Sequence, residues 1–183
     1  MLTHKGTQYI KTERLLLRKI TFQDAEMVFK WMSDPEVLKY EDWILHKNIE
    51  FTKGFISWAT SDYKTENVYN WGIQLGEELI GNIIVVDVLD EAKKGTLGYY
   101  LRKDCWSKGY ATEAAKAVIN YMFSEIGLYK IDAKHSIKNM ASGRVLKKAG
   151  MGYCGHVKEF YYCNSEWHDC DFYSITRDDN KNN

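Results

Sequence analysis

Cys105-Trp106-Ser107-Lys108-Gly109-Tyr110-Ala111-Thr112-Glu113-Ala114 is the stretch whose reading decides the fold. A strand-like run, Thr96 to Leu101, comes just before it. After it, apolar residues recur at Ala111, Ala114, Ala115, Val118, Met122 and Ile126, which is one face of a helix running to about Ile126. Gly127 suits the C-terminal cap of that helix. A strand that enters a helix through the small residues Gly109 and Ala111 leaves the first-turn N–H groups bare. Those groups, with the positive end of the helix dipole, favour an anion such as pyrophosphate. Lys108 adds a positive charge. Taken alone, a Gly-x-Ala pair also fits an ordinary strand–loop–helix joint, so the flanking sequence has to decide.

The chain has 183 residues, of which 45% are hydrophobic, enough for one domain with a full core. A single domain over residues 1–183, with its core at about 12–177, is expected. Formal net charge is zero and no basic block stands out, which disfavours nucleic acid and a membrane surface as partners. Met1 to Tyr9 lacks the apolar core of a signal peptide, and no apolar run approaches membrane-spanning length. The four cysteines form no Cys-x-x-Cys pair, so reduced thiols in a cytoplasmic protein are the expectation. Cys154, His156, Cys163, His168 and Cys170 fall in strand-like sequence without the tight spacing of a structural zinc site, and no metal is expected.

Outward from the central stretch, Thr12 to Ile20 reads as a first strand. Thr21 or Asp24 caps a helix through Met32 that Asp34-Pro35 ends. A second helix spans about Asn48 to Ala59. Tyr69 to Leu75 and Leu79 to Asp87 alternate as strands around a Gly76-Glu77 turn, and Gly95 to Leu101 follows. Beyond the long helix, Leu128 to His135 alternates as another strand. Asn139 then suits an N-cap, and Gly150 a C-cap, for one more helix. Strands at about Met151–Tyr161 and Trp167–Thr176 join near Asn164-Ser165, and Asp178 to Asn183 reads as a frayed polar tail. The order is β-α-α-β-β-β-α-β-α-β-β: an α/β (α+β) mixed sheet of about six to seven strands flanked by four helices.

Three motifs in this order resemble the GNAT N-acetyltransferases, and more closely their RimJ/RimL branch. Thr12-Glu13-Arg14-Leu15-Leu16-Leu17-Arg18 resembles the branch's Thr-Glu-Arg-Leu-x-Leu-Arg opening. The central stretch resembles its Trp-Gly-Lys-Gly-Tyr-Ala-Thr-Glu-Ala form of the acyl-CoA motif, with Ser107 in place of a glycine. Asn139 to Met151 resembles its Asn-x-x-Ser-x-x-x-Leu-x-x-x-Gly-Phe signature, with Met151 in place of Phe. The resemblance covers nearly the whole chain and agrees with the element order.

The resemblance implies a GNAT fold that uses acetyl-CoA to acetylate a primary amine: a protein N-terminus, a polyamine, an amino sugar or another small amine. A CoA-binding sensor without useful catalysis is the alternative. The N–H groups of Trp106, Ser107, Lys108, Gly109, Tyr110, Ala111 and Thr112 would cradle the pyrophosphate. The strand residues Tyr99, Tyr100 and Leu101 would pair with the pantetheine, and an N–H near Tyr99 or Tyr100 would face the thioester oxygen. Asn139 would meet the pantetheine amide, unless it only caps its helix. Many relatives protonate the leaving thiolate with a tyrosine where this chain has Leu146, so the implied acid here is Ser142. Thr96 stands where relatives often carry a catalytic glutamate; Glu41, Asp42, Asp87 and His135 are the substitutes. Tyr40, Glu41, Asp42 and Trp43 are implied acceptor contacts, with acceptor specificity set by Glu36–Lys47 and Phe160–Trp167. Monomer and homodimer both stay open.

Overall fold

The computed structural model describes residues 1–41 and 43–181. Among these, eight strands form a single sheet in the order β1-β2-β3-β4-β5-β6-β8-β7. The strands are β1 (Ile10–Lys11), β2 (Leu15–Arg18), β3 (Tyr69–Leu75), β4 (Glu78–Leu89), β5 (Lys94–Leu101), β6 (Lys130–Ser136), β7 (Gly152–Cys163) and β8 (Glu166–Thr176). The helices are α1 (Ala25–Met32), α2 (Ile49–Thr60), α3 (Tyr110–Tyr121), α4 (Met140–Lys148) and α5 (Arg177–Asn180). Every pairing is antiparallel except β5 with β6.

The mixed α/β sheet and the element order agree with the sequence reading, but two elements exceed it. β1 is a two-residue strand pairing Ile10 and Lys11 with Leu17 and Leu16, too short to leave a period in the sequence. The tail expected to fray folds into α5, because Thr176 and Asp179 cap it reciprocally: Asp179 N–H donates to Thr176 Oγ1 at 3.2 Å and Thr176 N–H to Asp179 Oδ2 at 3.0 Å. The long helix also changes character. α3 runs into a π turn over Met122–Ile126, closed by Gly127 in the left-handed conformation at φ 87°.

Two apolar cores cover the two sheet faces. Leu15, Leu17, Trp71, Ile83 and Leu97 pack with Ala114, Val118 and Met122 of the long helix on one face. Val28, Trp31 and Met32 of α1, Ile56 of α2 and Leu79 form the other. Ile80 is an extra residue in β4 opposite the Ile73–Gln74 step, a bulge that exchanges the faces its neighbours present. From Asn82 to Val86, even-numbered β4 residues therefore face α1 and α2, and odd-numbered ones face α3.

The feature that makes the site is the partial pairing of β5 with β6. Their parallel ladder holds only at Lys94–Thr96 against Lys130–Asp132. Beyond Thr96 and Asp132 the strands separate, each remaining paired on its outer side, β5 to β4 and β6 to β8. The sheet is therefore split in its middle.

Candidate active site

The split exposes one backbone edge. Arg102 N–H donates to Ile80 O at 2.8 Å, and Leu101 and Tyr100 pair with Gly81 and Asn82. The alternation of an antiparallel ladder then turns the polar backbone groups of Gly98 and Tyr100 toward β4, and those of Leu97, Tyr99 and Leu101 toward the split. Of the two tyrosines expected near the thioester oxygen, Tyr99 thus offers its N–H to the opening and Tyr100 does not. The Leu101 carbonyl is already occupied, accepting from Trp106 Nε1 at 2.7 Å, which ties the loop of the central motif to the end of β5.

That loop is shaped for a backbone cradle. Ser107 and Gly109 lie at φ 61° and 84°, both in the left-handed region, so the glycine that relatives carry at the Ser107 position suits the conformation found here. The first helical bond of α3 is Glu113 N–H to Gly109 O at 3.0 Å, which leaves the N–H groups of Tyr110, Ala111 and Thr112 without intrahelical acceptors. Lys108 is exposed beside them.

The first and second motifs meet here. Glu113 accepts from Thr12 Oγ1 at 2.6 Å, from Arg14 N–H at 2.9 Å and from Arg14 Nε at 2.7 Å, while Arg14 Nη1 reaches Lys108 O at 3.1 Å. Arg14 also lies 4.6 Å from the centre of the Tyr110 ring. Burial opposes the charged form of Glu113, but these hydrogen bonds outweigh it and hold the carboxyl below its ordinary value. The arginine of the opening motif therefore fixes the loop rather than reaching into the split.

On the far wall stands α4. Asn139 Oδ1 accepts from Ser142 N–H at 3.2 Å, the expected cap, while its amino group has no hydrogen-bond partner among the described residues. The two readings of Asn139 are thus compatible, one for each end of its carboxamide. Ser142 Oγ lies 2.9 Å from the Tyr99 hydroxyl, which is also 3.0 Å from Ser142 O. Burial pushes the Tyr99 phenol well above its ordinary value. Sequence reasoning missed this hydroxyl partner, and strand parity is the signal that held it. Tyr99 and Tyr100 point to opposite faces, and only an odd-numbered β5 residue faces α3 and α4. Leu146 is buried apolar core, as expected for a chain without the usual tyrosine.

A cavity of about 480 Å³ extends through the split toward α1 and α2. Asn139 and Ser142 line it, and so do Tyr40, Glu41 and Trp43 of the segment expected to meet an acceptor. Asp42 lies outside the described residues. Three of the four base candidates, Glu41, Asp87 and His135, sit on this one cavity with Thr96, and Asp62 joins them. Asp87 follows Val86, the partner of Thr96, at a second bulge where it adopts φ 51°. His135 Nδ1 lies 2.7 Å from Ser136 O; a carbonyl only accepts, so Nδ1 carries the proton and buried Nε2 has no partner. Trp43, Phe55 and Trp58 form a ring cluster with centroids 5.6–6.2 Å apart. The β7–β8 hairpin closes the side: Tyr161 Oη donates to Tyr40 O at 2.7 Å and Asn164 Nδ2 to Lys39 O at 2.9 Å. Among the described residues, no cluster of three or more His, Cys, Asp or Glu is placed to hold a metal, and no two cysteines form a disulfide.

Known proteins match this arrangement. The model of the acetyltransferase (GNAT) domain matches residues 14–152. An uncharacterized N-acetyltransferase, YoaA of Bacillus subtilis, is 33% identical over 92% of this chain and 96% of its own. The crystal structure of a GNAT-family acetyltransferase from Bacillus anthracis is 32% identical, covers 93% of this chain and 99% of its own, and superposes with a TM-score of 0.82. RimL, a ribosomal L7/L12 alpha-N-protein acetyltransferase solved with coenzyme A, shares the fold at a TM-score of 0.85, with 17% identity over 94% of this chain and 99% of its own. With a domain match over most of its length and relatives above 30% identity along nearly all of it, this chain belongs to the GNAT acetyltransferase family.

Proposed function

We propose that this acetyltransferase, a single domain over residues 1–183, transfers the acetyl group of acetyl-CoA to a primary amine. The acceptor is a protein N-terminus, a polyamine, an amino sugar or another small amine. The observation that carries the reading is the split between β5 and β6: it has a free backbone edge at Tyr99, Asn139 and Ser142 on its wall, and a cavity on the α1–α2 side.

The residues present fit the cofactor. Gly109 at φ 84° takes a backbone conformation that L side chains rarely adopt, and a Cβ there would stand 3.3 Å from Arg14 Nη2, so glycine suits the loop. The bare first-turn N–H groups of α3 and the ammonium of Lys108 suit a pyrophosphate. Trp106, Ser107, Lys108, Gly109, Tyr110, Ala111 and Thr112 would hold that part, with Tyr99 and the Asn139 amino group along the pantetheine. When bound, acetyl-CoA supplies the acetyl group as a thioester.

The chain's own groups then have three tasks. The Tyr99 N–H is a fixed donor turned toward the split, the kind of dipole that stabilises developing negative charge. The Ser142 and Tyr99 hydroxyls hold two protons between them. The Ser142 carbonyl only accepts, so it takes the Tyr99 proton and the Ser142 hydroxyl donates to the Tyr99 oxygen; turned toward the cavity instead, the Ser142 hydroxyl gives its proton to a departing thiolate. Glu41 and Asp87 are the groups on the cavity that take the proton from an arriving ammonium, whereas His135 has its Nδ1 proton on Ser136 O and its Nε2 sealed from the cavity. The intact Ser142–Tyr99 pair argues against the catalytically weak sensor. Mixing the protein with acetyl-CoA and a panel of peptides, polyamines and aminoglycosides, and following free thiol, tests the reading. No thiol release above the hydrolytic background with any amine would sink it.

A further inference from the structure

The floor of the cavity holds a buried carboxamide pair that the proposed transfer does not use. Asn70 of β3 and Asn82 of β4 are 7% and 4% exposed, and both line the cavity. Asn82 Nδ2 donates to Asn70 Oδ1 at 2.5 Å and to Trp71 O at 2.9 Å. Because the Trp71 carbonyl only accepts, this end of Asn82 is its amino group, and Asn70 must turn its carbonyl oxygen toward it. The hydrogen-bond chemistry therefore fixes both amide orientations. Nδ2 of Asn70, a donor, and Oδ1 of Asn82, an acceptor, are left over.

Among the described residues, neither leftover atom has a hydrogen-bond partner. Among the described residues the sealed, unpartnered side-chain atoms are Trp31 Nε1 and His135 Nε2, so the free ends of Asn70 and Asn82 keep accessible surface. Leaving a buried donor and acceptor unmet is costly, whereas the same sheet face continues as Ile84 and Val86, with no such demand. The Tyr100 hydroxyl on this face likewise has no hydrogen-bond partner among the described residues. One donor and one acceptor, held side by side and rigid, complement an amide, which presents a carbonyl oxygen and an N–H together. The charges around the cavity are Glu41, Asp62 and Asp87 against Lys134, a balance that favours an ammonium and opposes a carboxylate.

We infer that Asn70 and Asn82 form a subsite that reads an amide group of the substrate, making the acceptor an amino amide rather than a simple alkylamine or an amino acid. The inference rests on the proposed transfer to an amine. The amide has two sources, the backbone of a peptide N-terminus and a small amino carboxamide.

The test uses wild-type protein and a matched series: an α-amino amide, its methyl ester, its dimethylamide, its free acid and a tetrapeptide. KM is measured at saturating acetyl-CoA, and calorimetry follows each ligand into CoA-loaded protein. The ester and the dimethylamide lose the N–H that Asn82 would accept, so their KM and Kd should rise about tenfold or more over the amide, with kcat little changed. Asn70→Asp keeps one oxygen for the Asn82 amino group but turns the free donor into an anionic acceptor. It should raise the amide's KM by a similar factor, shift preference toward diamines and leave acetyl-CoA affinity unchanged. A tetrapeptide that outperforms the small amide identifies a peptide source, and parity identifies a small molecule. Thiol release with equal KM for amide, ester and dimethylamide overturns the subsite while transfer stands. Amide-selective binding without thiol release from any amine leaves the subsite standing and overturns transfer. The absence of both overturns both.

Discussion

The two sides of the split are built from different materials. On the proposed cofactor side, the loop Trp106 to Thr112 presents backbone: two left-handed residues, bare N–H groups and an arginine–glutamate clamp joining residues 14 and 113. On the proposed acceptor side, side chains from the central strands, from α1 and α2 and from the segments connecting them converge on one cavity. Backbone recognition requires particular residue types at fixed local spacing, so it leaves a motif. A wall of side chains needs only that distant strands meet in the right register, and it leaves none.

The sharpest way to break this contrast is Gly109→Glu. The left-handed φ of 84° and the nearby Arg14 Nη2 leave little tolerance for a side chain, and the added charge opposes a pyrophosphate. Wild-type protein at one hundred times the acetyl-CoA dissociation constant should gain about 2.7 kcal/mol of stability. The variant should gain none while keeping a cooperative melt. Normal CoA stabilisation of this variant would mean that the loop is not the cradle.

Ser142→Ala comes next, because Ser142 stands on the boundary between the two sides. Loss of a donor used mainly as the thiolate departs should lower kcat and kcat/KM together by about tenfold to a thousandfold. Tyr99→Phe removes only the group that orients the serine, so its kcat should fall by about threefold to tenfold. Asn139→Ala, measured alongside, should act more through the cofactor KM. If Tyr99→Phe proved harsher than Ser142→Ala, the roles of the two hydroxyls would be reversed.

This contrast also explains what the sequence made legible. The strand–loop–helix of the central motif, the Asn139 cap and the Gly127 stop all rest on local backbone needs, and each is found where its residues put it. The Ile80 and Asp87 bulges are matters of register between strands, yet they decide which residues face the cavity. The Asn70–Asn82 pair is invisible for the same reason: residues 12 apart become neighbours only when β3 and β4 pair. Tyr99 lay within the expected cofactor strand, but its hydroxyl role depends on β5 parity and on where α4 docks.

Gly143→Ala tests how tightly the boundary helix is seated. A Cβ there would meet His135 Nε2 at 2.5 Å and Cε1 at 2.8 Å. The His135 ring is held from the other side by Tyr173, with centroids 5.6 Å apart. Overpacking of this kind should cost about 1–3 kcal/mol, read as a lower denaturant midpoint, despite alanine's better helix propensity. kcat should fall with it, since Ser142 is the adjacent residue. An unchanged or raised midpoint would mean that α4 has room to shift.

A last contrast concerns the two ion pairs that anchor the two sides. Arg14–Glu113 holds the cofactor loop, and the Arg14 side chain is 41% exposed. Arg18–Asp24 holds the start of α1 behind the acceptor wall, and Asp24 is 3% exposed. Arg18 reaches the Asp24 carboxylate with Nη1 at 2.8 Å and Nη2 at 2.7 Å, and Thr21 N–H adds a bond at 2.7 Å. Burial of Asp24 opposes its charge, but these donors outweigh it and hold the carboxyl below its ordinary value of 3.8. A carboxyl depressed on folding stabilises the fold above its unfolded pKa, and that contribution disappears as pH falls through the lower folded value. Asp24→Asn should therefore cost about 1–3 kcal/mol at pH 7, and the gap to wild type should narrow once the pH drops below about 4. Raising salt should weaken the exposed Arg14–Glu113 contact more than the buried pair. The Asp24→Asn deficit should thus persist at 1 M salt, while a Glu113→Gln deficit shrinks. Denaturant titrations at pH 7, 4 and 2.5, each at low and high salt, read both trends, and a pH-independent Asp24→Asn deficit would show that Asp24 acts through packing rather than charge.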